Sequence, residues 1–277
     1  MSETDPKIAV LLPVYRNDRA KYLEQAIDSI LNQTYTNYII LIGIDGEIPE
    51  SLRNIVQRYK QYDSIKVIQF EQNRGLAMVL NDLISIARNE NVVYLARMDA
   101  DDISISDRFK KQVEFLENHP EVDVVGGAIC EIDEAGNSRN KIIQYPKGNK
   151  ECKSFFAYRN PHAHPAVMFR WHFFEKIGHQ YRPEYRQNQD TMLWFDGFSN
   201  GTNNANISDV VLKFRMTESL FKKRRNGFRF AKKQFLDRLT INRTLGYGIK
   251  ANIFGFAMFC LLISPTSIRK LAYRIFR

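Results

Sequence analysis

KIAVLLPVY, residues 7–15, is a nearly continuous apolar run that ends on Pro13, Val14 and Tyr15. Such a run, with no polar alternation, predicts a strand buried on both faces, as in a parallel sheet covered by helices. The segments that follow keep this frame. RAKYLEQAIDSILNQ (19–33) sets Leu23, Ile27, Ile30 and Leu31 at helical spacing, and YIILIGID (38–45) is a second buried strand. PESLRNIVQRYKQY (49–62) predicts a helix opening on Pro49, SIKVIQF (64–70) a third strand and LAMVLNDLISIARN (76–89) a third helix. NVVYLARMD (91–99) is a fourth strand. This alternation predicts an α/β fold, a doubly wound and mainly parallel sheet, whose ligands sit beyond the carboxyl ends of the strands. Tyr15, Asp45 and Asp99 fall at three of those ends.

Beyond Asp107 the chain predicts a helix (107–119), a strand (122–130) and a polar hairpin around Asp133–Asn140. NPHAHPAVMFR (160–170) reads as a loop entering a strand, and residues 181–201 as a loop followed by a short helix. Apolar and charged fractions of 44% and 26% are those of a globular protein and argue against disorder. Cys130, Cys152 and Cys260 form no CxxC pair, which argues against a disulfide framework or structural zinc and for a reducing compartment. The opening MSETDPKIAVLLPVY has no basic segment before its apolar run, so that run is read as a strand and not a secretion signal. The net charge of +9 is uneven: residues 213–277 hold 16 Lys and Arg against two acids, whereas residues 1–212 hold 24 against 29. The predicted organisation is a domain over 1–212 and a basic, amphipathic helical tail over 213–277.

The fourth strand runs into MDADD, with Asp99, Asp101 and Asp102 crowded at its end. Carboxylates flanking a small residue are hard oxygen donors that together can grip Mn²⁺ or Mg²⁺, and the cation relieves their repulsion. The structural alternative is a turn in which Asp102 or Ser104 caps the next helix.

LLPVYRND, ILNQTY, IGIDGE, NRGLAMVLN, YLARMDADDIS with Arg108 after it, HPAVMFR and QDTMLW stand in the order and spacing of the family 2 glycosyltransferases. Over its first ~215 residues the chain resembles these inverting enzymes with a Rossmann-like, GT-A type domain, and among them the bacterial transferases of O-antigen, capsule and exopolysaccharide repeat units. The resemblance implies a nucleotide-sugar site built by Pro13, Val14, Tyr15, Asp45, Asn73, Arg74, Gly75, Asp99 and Arg108. It assigns the metal to Asp101 with Asp99 in support, and His164 to the metal or the donor diphosphate. Asp190 is the implied general base, with Asp102 and Trp194 on the acceptor side. The residues allow these roles: Tyr15 can stack on a base, Asp45 can accept from a uracil imide, and the helix start at Gly75 favours anions. They equally allow Tyr15 and Trp194 as core aromatics, Asp190 as a helix cap and Arg74 as a solvated side chain.

The implied reaction moves a hexose from a UDP-sugar to a polyprenyl-diphosphate-linked saccharide. The implied location is the cytoplasmic face of the bacterial inner membrane, where the protein is peripheral. In the tail, FKKRRNGFRFAKKQF (221–235) interleaves basic residues with Phe, and ANIFGFAMFCLLI (251–263) is too short to span a bilayer. Ser264–Pro265 opens a further helix with Ile268, Leu271, Ala272, Ile275 and Phe276 on one face and basic residues elsewhere. This predicts contact with an anionic membrane surface and not with nucleic acid, the alternative being helices packed on the catalytic domain. Two other functional readings are a sugar-phosphate nucleotidyltransferase, which calls for a glycine-rich loop that PVYRNDRA lacks, and a non-enzymatic basic binding protein.

Overall fold

The computed structural model describes residues 5–217, 228–265 and 267–268. Its sheet begins with the predicted alternation: β1 (Ile8–Tyr15), α1 (Ala20–Leu31), β2 (Tyr38–Asp45), α2 (Glu50–Tyr59), β3 (Ile65–Phe70), α3 (Leu76–Ala87) and β4 (Tyr94–Arg97). These strands are parallel in the order β3-β2-β1-β4. Ile8, Val10, Leu12 and Val14 of β1 face a core shared with α1, α2 and residues 109–116, while Ala9 and Leu11 face a second core with α3. Burial on both faces is what an unbroken apolar run requires, and it is why β1 shows no alternation. Gly43 in β2 permits the close approach of α3, since a Cβ there would meet Val79 Cγ1 at 2.7 Å.

The second half of the chain extends the sheet differently. β5 (Ile103–Ser104), α4 (Arg108–Asn118), β6 (Val124–Ile132), β7 (Ser138–Ile143), α5 (Asn149–Phe156), β8 (Met168–Arg170), α6 (Trp171–Ile177), α7 (Gln189–Ser199) and β9 (Asn204–Arg215) follow. The sheet continues from β4 as β8-β6-β9-β5, with β7 paired to β6. Here the β4–β8, β8–β6, β6–β7 and β9–β5 pairs are antiparallel and only β6–β9 is parallel. The sheet is thus parallel in its first half and mixed in its second. The β6–β7 pair is joined by a short turn at Asp133–Asn137, which leaves no room for a crossover helix.

The expected boundary at Lys213 lies inside β9, where Lys213 pairs with Cys130 and Ile103, so the sheet runs on to Arg215. Two helices follow, α8 (Phe228–Thr244) and α9 (Ile249–Ile263). α8 packs on the sheet domain: Ile241 joins the second core, and Arg238 Nη1 donates to the Phe156 carbonyl at 2.7 Å. The basic residues 221–227 and the expected helix face of Leu271, Ala272, Ile275 and Phe276 lie outside the described residues.

Candidate active site

The carboxyl ends of β1, β2 and β4 meet at one rim of the sheet, where Tyr15 pairs in register with Asp45 and Arg97 with Leu11. At the end of β1, Val14 is core and Pro13 is buried, and both pair with β2. Tyr15 is half-buried and belongs to neither core, and its N–H donates to Asp18 Oδ2 at 2.9 Å. Its ring is therefore available at the rim.

At the end of β2, Asp45 is 5% exposed and closes on its own chain. Its Oδ1 accepts from Arg74 N at 2.7 Å and its Oδ2 from Gly75 N at 3.0 Å, while Asn73 Nδ2 donates to the Asp45 carbonyl. Gly75 precedes α3 with φ 92°, a left-handed conformation that other residues adopt at a cost. The anion at the start of α3 is thus the Asp45 carboxylate itself. Gly75 and the start of α3 are engaged by this carboxylate, which makes Asp45 the tie between two loops. Gly46 is needed at the same junction, since a Cβ would meet Asn73 N at 2.7 Å. The Arg74 guanidinium turns away to pair with Asp82 and lies 4.7 Å over the Phe70 ring.

Beyond β4, Asp99, Asp101 and Asp102 each offer an oxygen within 4.8 Å of the others. Three buried arginines, which sequence reasoning either missed or placed elsewhere, stand behind them. Arg97 is fully buried and donates from Nη2 to Asp99 Oδ1 at 2.5 Å. Arg108, also fully buried, donates from Nη2 to the carbonyls of Arg97 and Val167 at 2.8 and 3.2 Å. Burial pushes its guanidinium down to about 9. It braces the backbone under the cluster and does not reach a sugar. Arg215, at the end of β9, donates from its backbone N–H to Asp102 Oδ1 and from Nε to the Asp101 carbonyl, both at 2.8 Å. A charged residue within the buried run YLARMD was the available signal for Arg97, because a buried charge needs a partner. Arg215 gave no local signal, since its partners lie more than 80 positions away.

Asp102 is 1% exposed, so it belongs to the floor of the cluster and not to an acceptor surface. Asp107, and not Asp102 or Ser104, stands at the start of α4. Burial, then the charges of Asp101 and Asp99, push the Asp102 carboxyl well above the usual carboxylate range. Its Oδ2 is buried without a hydrogen-bond partner. Three hard oxygen donors, one with an orphaned buried atom, fit a divalent cation. His164 falls outside this group: its Nε2 meets the Tyr181 hydroxyl at 2.8 Å and burial pushes its imidazole down to about 3.

Asp190 lies in the first turn of α7, with Asn188, in a left-handed conformation, as the N-cap. It is therefore not the cap, and Asn160 Nδ2 donates to its Oδ2 at 2.9 Å. The Tyr181 hydroxyl, buried beside His164, feels the charges of both carboxylate centres. Burial raises its pKa, Arg97 lowers it, and both Asp190 and Asp99 raise it. Trp194 is 1% exposed among Phe169, Phe173 and His162, which corrects its reading as a sugar platform. The loop ahead of Asp190 is held from outside. Arg182 pairs with Asp196 through Nε and Nη2, while Tyr185 donates to Asp237 Oδ1 of α8 at 3.0 Å and lies under Lys233 Nζ at 3.4 Å.

Residues 9–178, more than half of the chain, match the family model Glycosyl transferase family 2. The amylovoran biosynthesis glycosyltransferase AmsE of Erwinia amylovora is 34% identical over 226 residues, covering 82% of each chain. The UDP-Gal:alpha-D-GlcNAc-diphosphoundecaprenol beta-1,3-galactosyltransferase of Escherichia coli is 29% identical over 231 residues, covering 83% of this chain and 82% of that one. The crystal structure of S. aureus TarS 1–349 in complex with UDP-GlcNAc superposes with a TM-score of 0.66 at 16% identity, over 96% of this chain and 83% of that one. That likeness shows the same α/β fold. Neither a nucleotidyltransferase nor a non-enzymatic binder accounts for these matches: the chain belongs to glycosyl transferase family 2 and is a glycosyltransferase.

Proposed function

We propose that this glycosyltransferase moves a hexose, with inversion, from a UDP-sugar to a polyprenyl-diphosphate-linked saccharide during bacterial surface-polysaccharide synthesis. The observation that supports the reading is the cluster of Asp99, Asp101 and Asp102, whose oxygens lie within 4.8 Å of one another just beyond the carboxyl end of β4. Asp190 accepts the proton of the acceptor hydroxyl as its oxygen bonds to the anomeric carbon. The bond from that carbon to the donor diphosphate breaks, and UDP leaves with the electron pair. Tyr15 offers a ring to the base, and the backbone of Pro13 and Val14 borders the nucleotide. Asp101 and Asp99 would hold Mn²⁺ or Mg²⁺ with Asp102 beneath them; bound there, the cation offsets charge growing on the leaving diphosphate.

The names of two relatives support the substrate class. One acts in amylovoran biosynthesis, and the other joins galactose from UDP-Gal to a diphosphoundecaprenol-linked sugar. The proposed location is the cytoplasmic face of the inner membrane, as a peripheral protein. Among the described residues no helix is long and apolar enough to cross a membrane. The test is incubation with a panel of nucleotide sugars, Mn²⁺ or Mg²⁺ and a lipid-diphosphate saccharide, with products identified by mass. A UDP-sugar-dependent product, abolished by EDTA and in Asp101→Ala, is expected. Turnover that survives both treatments would overturn the metal assignment, and absence of any UDP-sugar binding would overturn the donor.

A further inference from the structure

α9 has 15 residues, IKANIFGFAMFCLLI, with Lys250 as its single charge. One side is used for packing. Ala251 and Gly255 are buried, and a Cβ on Gly255 would meet Arg238 Cγ of α8 at 3.1 Å. Phe254 sets its edge on Tyr158, and Phe256 and Phe259 border Phe235. The other side is exposed, with Phe256 at its border. Ile249, Ile253, Phe256 and Ile263 are 74%, 64%, 55% and 48% exposed, and Cys260 between them is exposed as well. At helical spacing these five lie within about 80° of arc, along a stripe about 21 Å long. A soluble surface rarely keeps such a continuous apolar strip uncovered.

The charges of the two helices indicate what covers the stripe. Arg229, Lys232, Lys233 and Arg243 of α8 are exposed, as is Lys250 of α9, and Asp237 is the single acid of the two helices. From Lys213 onward the chain carries 16 basic residues against two acids. A second copy would bring two such tails together against their repulsion, whereas anionic lipid supplies the opposite charge. At 1.5 Å per residue α9 is about 22 Å long, too short for a hydrocarbon core of about 30 Å, so it can lie in the membrane surface but not cross it.

We infer that α9 lies in the plane of an anionic bilayer with Ile249, Ile253, Phe256, Cys260 and Ile263 in the acyl boundary and the surrounding basic residues at lipid phosphates. This deepens the membrane-surface part of the proposed function and rests on it. α8 joins this surface to the loop ahead of Asp190 through Asp237, Lys233 and Tyr185, so a docked enzyme presents its acceptor side at a fixed attitude to the lipid.

The test needs neither donor nor acceptor, so its outcome is independent of whether sugar transfer is found. Co-sedimentation of the full chain is measured with vesicles of phosphatidylcholine, alone and mixed with phosphatidylglycerol. Ile249→Glu/Ile253→Glu and a chain ending at Pro265 are compared, with circular dichroism as the folding control. Binding is expected only to the mixed vesicles, weakening with salt, and reduced at least about tenfold in the double variant. The chain ending at Pro265 is expected to keep most of its binding. Unchanged binding of the folded double variant would overturn the inference, as would binding lost only on truncation. A dimer seen by light scattering that the double variant dissociates would assign the stripe to a second copy instead.

Discussion

The two halves of the sheet build their share of the rim in different ways. In the parallel half each group stands where its own strand ends: Tyr15 closes β1, Asp45 closes β2 and Asp99 follows β4. In the mixed half the groups arrive from distant segments. Arg215 of β9 reaches back to Asp101 and Asp102, Asn160 reaches Asp190, and His164 meets Tyr181. The parallel half thus sets out its rim groups by local rules, while the mixed half positions and neutralises carboxylates through long-range contacts.

The largest test of this contrast is Asp190→Asn. It should lower kcat by about 10²–10⁴, the scale of a lost general base, with UDP-sugar affinity unchanged in a binding assay. A variant with normal kcat would remove the mixed half from the chemistry. Next is Arg215→Met. Arg215 is 1% exposed, and its loss strips partners from Asp101, from the Asp133 and Glu134 carbonyls and from Gln25. A cost of about 3 kcal/mol in urea unfolding is expected, and a change well under 1 kcal/mol would show that the cluster stands without it.

The arginines also bear on metal binding. With Arg97, Arg108 and Arg215 buried behind three carboxylates, Mn²⁺ alone should bind weakly, and UDP should tighten it about tenfold or more by completing the donor set. Equal Mn²⁺ affinity with and without UDP in a calorimetric titration would contradict this balance. A pH effect of stability should follow from His162 and His164, whose imidazoles burial pushes down to about 4 and about 3 from an ordinary 6.5. Between those values and 6.5 the unfolded chain binds more protons than the folded one. Their contribution is therefore complete above pH 6.5 and lost as the pH falls toward 4 and 3. Melting temperature should decline over that range, and His164→Gln should flatten the decline. The smallest expected effect is that of Tyr185→Phe, which removes one hydrogen bond to α8 worth about 1 kcal/mol. It should raise the acceptor KM a few-fold with kcat and donor binding unchanged; a donor-side effect would mean that the loop serves the other half.

The residues legible in the sequence were those whose meaning is local. The crowding of Asp99, Asp101 and Asp102 after a buried strand announced the cluster, and LLPVY announced the strand that aligns it. Asp190 was legible only through resemblance, because QDTMLW by itself suits a helix cap as well as a base. Trp194 was misjudged because an indole suited to a sugar is equally suited to a core, and Asp45 and Arg74, residue types suited to a ligand, also have partners within the chain.

By itself, then, the sequence determined the parallel strand series, the rim at which its carboxylates gather and the charge difference between the body and the tail. Those follow from period, run length and composition, which act between neighbours in the chain. Only the tertiary structure decided which polar groups face outward. Asp102 went to the floor, Arg97, Arg108 and Arg215 went beneath it, and α8 was docked while one side of α9 stayed open. A polar side chain is equally content with a ligand or with an internal partner, and which it meets depends on segments that only folding brings within hydrogen-bond reach.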